Sequence, residues 1–96
     1  MKSIIQEYPY CYICGRVNNL EEHHIIFGPN RKLCEEDGLK VYLCPECHRG
    51  TCGVHGKEGK ELNLKLKRIA QRTWQEYYDR TENDFIKRYG RSYLCD

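Results

Sequence analysis

The spacing of apolar and polar positions predicts two short strands in the first half of the chain. Residues 20–27 (LEEHHIIF) have the composition of a strand and run into residues 28–30 (GPN), a cluster that breaks regular structure. Residues 40–43 (KVYL) predict a second strand. The segment between the two strands, residues 28–39, is polar and is expected to be a loop.

The strongest periodicity in the chain predicts a helix over residues 61–78. Apolar side chains recur there at three- and four-residue steps and form one stripe, which consists of Leu62, Leu66, Ile69, Ala70, Thr73 and Tyr77. A last short helix is expected to begin at Thr81, because Thr81 and Asp84 resemble a capping box, and to end at Gly90. The side chains that it should turn inward are Phe85, Ile86 and Tyr89.

Length and composition place these elements in one small α+β domain. The chain has 96 residues, of which 40% are hydrophobic and 31% are charged, and these shares are ordinary for a soluble globular protein. No apolar run approaches the roughly 20 residues that a membrane span needs, and the first residues do not resemble a signal peptide. We therefore expect a single domain over residues 1–96, located in the cytoplasm and without a membrane partner.

Seven cysteines, four of them in two Cys-x-x-Cys pairs, indicate a metal site. The pairs are Cys11 with Cys14 and Cys44 with Cys47. Each pair supplies two thiolates from one tight turn, and two pairs complete the tetrahedral ligand set of a structural zinc. A disulfide framework is the alternative, but the odd number of cysteines and the lack of a signal-peptide pattern favour zinc. The remaining cysteines, which we expect to be free thiols, are Cys34, Cys52 and Cys95.

Four histidines fall within 33 residues of one another. His23 and His24 are neighbours on the first predicted strand, so their side chains should point to opposite faces. His48 directly follows the second cysteine pair, and His55 lies in the glycine-rich loop after it. If both pairs bind one zinc, His48 is brought close to the first strand, which would allow a second, nitrogen-rich site. A lone histidine is usually a surface or core residue, whereas this cluster favours a function.

Several segments of the chain resemble the HNH endonuclease family. They are residues 11–14 (CYIC), 22–26 (EHHII) and 42–48 (YLCPECH). The likeness is greatest to small HNH proteins of phages and bacteria that carry Gly-Val-His, which stands here at residues 53–55.

This resemblance implies a fold. The family has a ββα-metal core, similar to a treble clef, in which two strands and a helix surround one catalytic metal. In this chain the resemblance places a zinc-bound core of that kind at residues 11–56. Residues 60–94 would then form a C-terminal helical extension.

The resemblance also implies a reaction, the hydrolysis of phosphodiester bonds in DNA. His24 would be the general base that takes a proton from water. His23 would ligate a catalytic divalent metal (Mg²⁺, Mn²⁺ or Zn²⁺), together with His48 and His55. The metal would stabilise the negative charge that builds up on the scissile phosphate.

One position departs from the family. The middle Asn, which orients the general base, is missing from the stretch before the second strand, residues 37–40 (DGLK). Asn30, or the backbone, is expected to take this role. The missing Asn favours a rival interpretation, a non-catalytic zinc module of the same fold that binds DNA or a protein. A redox protein is a third interpretation, and it would need one free, reactive pair of thiolates.

Basic residues provide candidate contacts to DNA. Arg31 and Lys32 in the predicted loop, and Arg49 beside His48, are expected to bind phosphates; a merely solvated surface is the alternative. Lys and Arg exceed Asp and Glu by ten to seven in residues 57–96, but number six against seven in residues 1–56. Cutting both DNA strands would need a second active site, which leaves a homodimer or a partner protein open.

Overall fold

The computed structural model describes residues 1–94, which fold into two antiparallel strands and four α-helices, an α+β arrangement. The strands are β1 (Glu21–His24) and β2 (Lys40–Leu43). The helices are α1 (Arg31–Asp37), α2 (Pro45–Arg49), α3 (Lys60–Tyr77) and α4 (Glu82–Tyr89).

The two strands pair over four residues each. Glu21 lies opposite Leu43 and His24 lies opposite Lys40. β1 is shorter than the eight-residue strand that its composition predicts, because its partner begins only at Lys40. One further backbone bond, from Ile25 N–H to the Leu39 carbonyl at 3.0 Å, continues the pairing before the chain turns into a 3-10 turn at Gly28–Asn30.

The segment between the strands is helical, and the prediction of a loop over residues 28–39 was wrong. α1 occupies seven of these residues and ends at Gly38, whose φ of +75° is in the left-handed region that favours glycine. A side chain at Gly38 would also collide with the Lys2 carbonyl. The buried thiol of Cys34 holds α1 against the strand end, with Sγ 3.1 Å from the Ile26 carbonyl oxygen. α1 has few apolar residues, so its sequence lacks the apolar periodicity from which a helix is predicted.

The long predicted helix is confirmed as α3. Leu66, Ala70 and Trp74 are buried along one side of it. The prediction that Tyr77 belongs to this apolar stripe was wrong, because Tyr77 is 59% exposed in the last turn. Its neighbour Tyr78 packs inward instead and donates to the Asp37 carbonyl at 2.9 Å. None of the helices within residues 1–94 is long and apolar enough to cross a membrane.

The predicted capping box of α4 is confirmed. The Thr81 hydroxyl accepts from Asp84 N–H at 3.1 Å, and the Asp84 carboxylate accepts from Thr81 N–H at 3.0 Å. The helix ends at Gly90, as predicted. Its inward side chains are Phe85 and Tyr89, whereas Ile86, predicted to join them, is 37% exposed because it points away from their shared face.

A buried carboxylate joins α1 to the two C-terminal helices. Asp37 accepts hydrogen bonds from Trp74 Nε1 (2.9 Å), the Tyr89 hydroxyl (2.6 Å) and Arg88 Nη2 (2.8 Å). Three donors, one of them a guanidinium, satisfy a carboxylate that would be costly to bury alone. α1 is therefore fixed between the strands and the helical extension, and the side chains that it directs at β1 are fixed with it.

Candidate metal centre

The two Cys-x-x-Cys turns meet in a four-cysteine cluster of Cys11, Cys14, Cys44 and Cys47. Their four Sγ atoms lie within 4.8 Å of one another, and Cys14 Sγ is 3.6 Å from Cys44 Sγ. Thiolates on one tetrahedral zinc, each at about 2.3 Å, are about 3.8 Å apart. The first turn is stabilised by Gly15 N–H, which donates to the Cys11 carbonyl at 2.8 Å with φ of +82° at the glycine. The cluster has the composition and spacing of a zinc site.

Ionisation of these thiols also fits a bound cation. Burial acts to raise the pKa of Cys11, but backbone N–H groups around it outweigh burial and lower the pKa to about 6. Burial and the neighbouring sulfurs raise the pKa of Cys47. Four sulfurs this close repel one another as thiolates, and zinc relieves that repulsion because it binds the deprotonated form.

Three imidazoles from three different segments form a histidine cluster, which consists of His23, His48 and His55. His23 comes from β1, His48 from α2 and His55 from the loop after α2. Their candidate ligand atoms lie within 4.8 Å of one another, and their ring centroids are 4.9 to 5.1 Å apart. The structure thus brings together the three histidines that were predicted as metal ligands. Three neutral imidazoles in this arrangement are a suitable ligand set for a divalent transition metal.

The glycine-rich loop carries His55 to its place through backbone contacts. His55 N–H donates to the His48 carbonyl at 2.9 Å, and Val54 N–H donates to the Cys47 carbonyl at 2.9 Å. The loop packs so closely that a Cβ on Gly56 would collide with the carbonyl oxygens of Gly50 and Thr51. Glycine is thus required here by the approach of one backbone segment to another.

Glu21 holds His48 in position. Its Oε1 accepts from His48 Nδ1 at 2.8 Å and from Arg49 Nε at 2.9 Å. Arg49 and His48 hold the pKa of Glu21 at about 2. A carboxylate on one ring nitrogen leaves the other, Nε2, as the ligand atom, which is the usual arrangement around metal-bound histidine. Arg49, which was expected to contact DNA, binds Glu21 through its guanidinium, and its side chain remains 65% exposed.

The interior of the histidine cluster contains an unsatisfied atom. His23 Nε2 is buried and has no hydrogen-bond partner within residues 1–94. Burial, together with His48 and His55, lowers the pKa of His23 to about 3. Phe27 covers one side of the cluster, with its ring centroid 4.8 Å from that of His55. A buried ring nitrogen that stays unprotonated and unbonded fits a metal ligand, because a metal would use its lone pair.

His24 lies on the opposite face of β1 from His23, as the strand alternation predicted. Its Nε2 is 2.9 Å from Glu35 Oε2 on α1. A carboxylate only accepts, so Nε2 is the donor in this bond, and in the neutral form of the ring Nδ1 is then the nitrogen with the lone pair. Glu35 also accepts from Lys40 Nζ at 2.9 Å, and Lys40 and His24 hold the pKa of Glu35 at about 2.

Asn30 was expected to contact His24, but its side-chain amide bonds elsewhere. Asn30 Nδ2 donates to the Tyr89 carbonyl at 3.2 Å, so its amide joins α1 to the end of α4. Glu35 occupies the position at His24 that Asn30 was predicted to take. The reason is the helix α1, which begins after Asn30 and turns Glu35 towards β1 one turn later.

The other predicted residues fall outside both clusters. Arg31 and Lys32 are exposed on the first turn of α1. Cys34 is a buried structural thiol, Cys52 is exposed, and Cys95 lies outside the described residues.

Comparison with known proteins gives a partial likeness. An alignment 73 positions long is 33% identical to the small ribosomal subunit protein uS4 of Thermoanaerobacter sp. (strain X514) and of Thermoanaerobacter pseudethanolicus (strain ATCC 33223 / 39E). The alignment covers 65% of this chain and 35% of each relative, so the chain spans about a third of the proteins that it matches. No protein family profile and no solved structure matches the chain.

Proposed function

We propose that this chain is a metal-dependent endonuclease of the HNH type that hydrolyses phosphodiester bonds in DNA. The observation that supports this best is the histidine cluster. Three imidazoles come from β1, α2 and the following loop, and one of them has a buried nitrogen with no hydrogen-bond partner among residues 1–94. The order of two strands and a helix around these residues also agrees with a ββα-metal core.

The two metal sites would have separate tasks. A zinc ion on the four-cysteine cluster would fix the start of α2, where Cys44 and Cys47 lie, to the N-terminal turn that carries Cys11 and Cys14. A divalent ion on the histidine cluster would act as a Lewis acid towards phosphate oxygens. His48 would be held ready for this ion by Glu21.

The base in this proposal is His24. Its Nδ1 would accept a proton from a water molecule whose oxygen forms the new bond to phosphorus. The bond from phosphorus to the leaving sugar oxygen breaks, and that oxygen takes a proton from solvent. Glu35 would keep His24 in the required tautomer and stabilise the imidazolium that forms, as carboxylates do for catalytic histidines.

The first test compares cleavage by the native protein and by His24→Ala. We expect the native protein to nick supercoiled plasmid DNA with Mg²⁺ or Mn²⁺, and the variant to lose about 100-fold or more of this activity, the usual contribution of a general base. Plasmid nicking on a gel measures the rates. Bound zinc, measured by elemental analysis, should be unchanged, because His24 is outside the four-cysteine cluster.

Asn83→Ala provides the matched control, because Asn83 is an exposed residue of α4 away from both clusters. It should cut DNA like the native protein. Full activity of His24→Ala would refute the base assignment, and absence of cleavage by the native protein with any of the divalent metals would refute the nuclease.

A non-catalytic binding module is the second candidate, and the partial likeness to uS4 favours it. A module of this kind would use the zinc-bound fold to bind nucleic acid or protein. It predicts a native protein that contains one zinc, binds no second metal at the histidine cluster and leaves DNA uncut. Metal titration followed by elemental analysis separates the two candidates.

A further inference from the structure

A lysine of the C-terminal extension lies beside the histidine cluster. Lys67 is partly buried on α3, and its Nζ is 4.8 Å from the centroid of the Phe27 ring. That ring is in turn 4.8 Å from the His55 ring and 6.0 Å from the His23 ring. The Phe27 ring is thus close both to the Lys67 ammonium group and to the rings of His23 and His55.

Within residues 1–94, the Lys67 ammonium group lies among aromatic rings and has no carboxylate beside it. Lys67 Nζ is also 5.3 Å from the Tyr93 ring centroid, and the guanidinium carbon of Arg91 is 4.6 Å from the same centroid. Within residues 1–94, neither cation has a carboxylate at ion-pair distance. Two like charges that share a ring repel each other, and cation–π contacts offset this only in part.

The charges around the cluster leave it electropositive. The nearest acid described here, Glu21, is already bound by both His48 and Arg49. A divalent ion on the three neutral imidazoles would add two positive charges beside Lys67 and Arg91. An anion would reduce the repulsion among these positive charges, and the anion of a nucleic-acid backbone is the phosphodiester group.

We propose that Lys67, supported by Arg91, binds a backbone phosphate of the nucleic acid held at the histidine cluster. This proposal rests on the proposed function, and it gives the C-terminal helices a part in substrate binding. The rings of Phe27 and Tyr93 both lie near Lys67 Nζ, so the ammonium group is placed before the ligand arrives.

Thymidine 3′,5′-bisphosphate is a suitable probe, because it carries two phosphates on one nucleoside and contains no phosphodiester to cleave. Its affinity is measured by calorimetry on zinc-bound protein saturated with Mn²⁺. We expect Lys67→Met, which keeps an unbranched side chain and removes the charge, to bind it about tenfold more weakly, and Lys67→Arg to bind it nearly as well as the native protein.

Lys65→Met is the matched control, because Lys65 lies on the same helix, is exposed and contacts neither ring. It should bind the probe like the native protein. Equal affinity in Lys67→Met, or no binding by the native protein, would overturn the phosphate site. If the protein binds the bisphosphate through Lys67 but never cuts DNA, the phosphate site is supported and the proposed nuclease activity is refuted. Failure of the phosphate site can therefore be distinguished from failure of the proposed function.

Discussion

At the scale of single residues, the Glu21 carboxylate on β1 orients the ring of His48. The carboxylate bonds one ring nitrogen and turns the other towards His23 and His55. Because the bond is short and Glu21 is also held by Arg49, the imidazole has little freedom to rotate. Outer partners of this kind set both the direction and the basicity of a metal ligand.

Replacing Glu21 should weaken the second metal site without changing the first. We expect Glu21→Gln to lower the affinity of the histidine cluster for Zn²⁺ or Mn²⁺ by about tenfold, the lower end of the usual effect of such partners, because the amide lacks the carboxylate charge. Metal titration followed by calorimetry measures it. Glu22→Gln, on the other face of β1, should bind the metal normally, and equal affinities in both variants would contradict the role of Glu21.

Residue roles were predictable where a pattern fixes geometry. The Cys-x-x-Cys spacing predicted which four cysteines would cluster, and the alternation of a strand separated His23 from His24. The same alternation puts Glu21 on the face of His23, so Glu21 could have been found in this way. Glu35 could not, because its contact with His24 depends on a helix that the polar sequence of α1 conceals.

At the scale of elements, the loop between α2 and α3 acts as a rigid connector. Its backbone returns to α2 through bonds at Val54 and His55, and its glycines allow carbonyl groups of the same loop to approach within contact distance. This packing explains how His55, which lies in a loop, comes close to His23 on β1 and His48 on α2.

Gly56→Ala should therefore displace His55. The added Cβ meets the carbonyls of Gly50 and Thr51, and the loop must move to relieve the clash. We expect the free energy of unfolding to fall by about 1–3 kcal/mol, the range for backbone clashes, and second-site metal affinity to fall as well. Urea denaturation and metal titration measure the two effects.

The control for this variant is Lys57→Ala, at the exposed neighbouring position. It should leave both quantities unchanged. An unchanged metal affinity in Gly56→Ala would show that the histidine cluster does not depend on the packing of this loop.

Elements whose own sequence carries apolar periodicity or capping residues were predicted well. Elements whose bounds depend on tertiary contacts were not. α3 and the capping box of α4 have apolar periodicity and cap chemistry within their own sequences. The length of β1 depends on where its partner begins, and α1 depends on Asp37 and Cys34 packing against other segments. Neither of these contacts can be derived from the local sequence.

At the scale of the whole molecule, stability should depend on zinc. A chain of this size buries a modest core, and the four-cysteine cluster joins its N-terminal turn to the start of α2. Binding free energies for structural zinc are about 10–16 kcal/mol, comparable to the total stability of a small domain.

Removing the zinc should abolish cooperative unfolding. We expect protein treated with a strong chelator to lose its near-ultraviolet circular dichroism and its thermal transition, and Cys47→Ser to behave in the same way. Cys52→Ser, at an exposed thiol outside the cluster, should retain zinc and its melting temperature. A chelated protein that melts like the native one would contradict a structural role for the metal.

The adjacency of Cys47 and His48 has a consequence for the order in which metals bind. One peptide bond joins Cys47 of the four-cysteine cluster to His48 of the histidine cluster, so zinc on the cysteines would restrain the backbone that carries His48. If both clusters bind metal, the two occupancies are linked by a free energy that acts equally in both directions. Zinc supply would then influence the affinity of the histidines for their own ion.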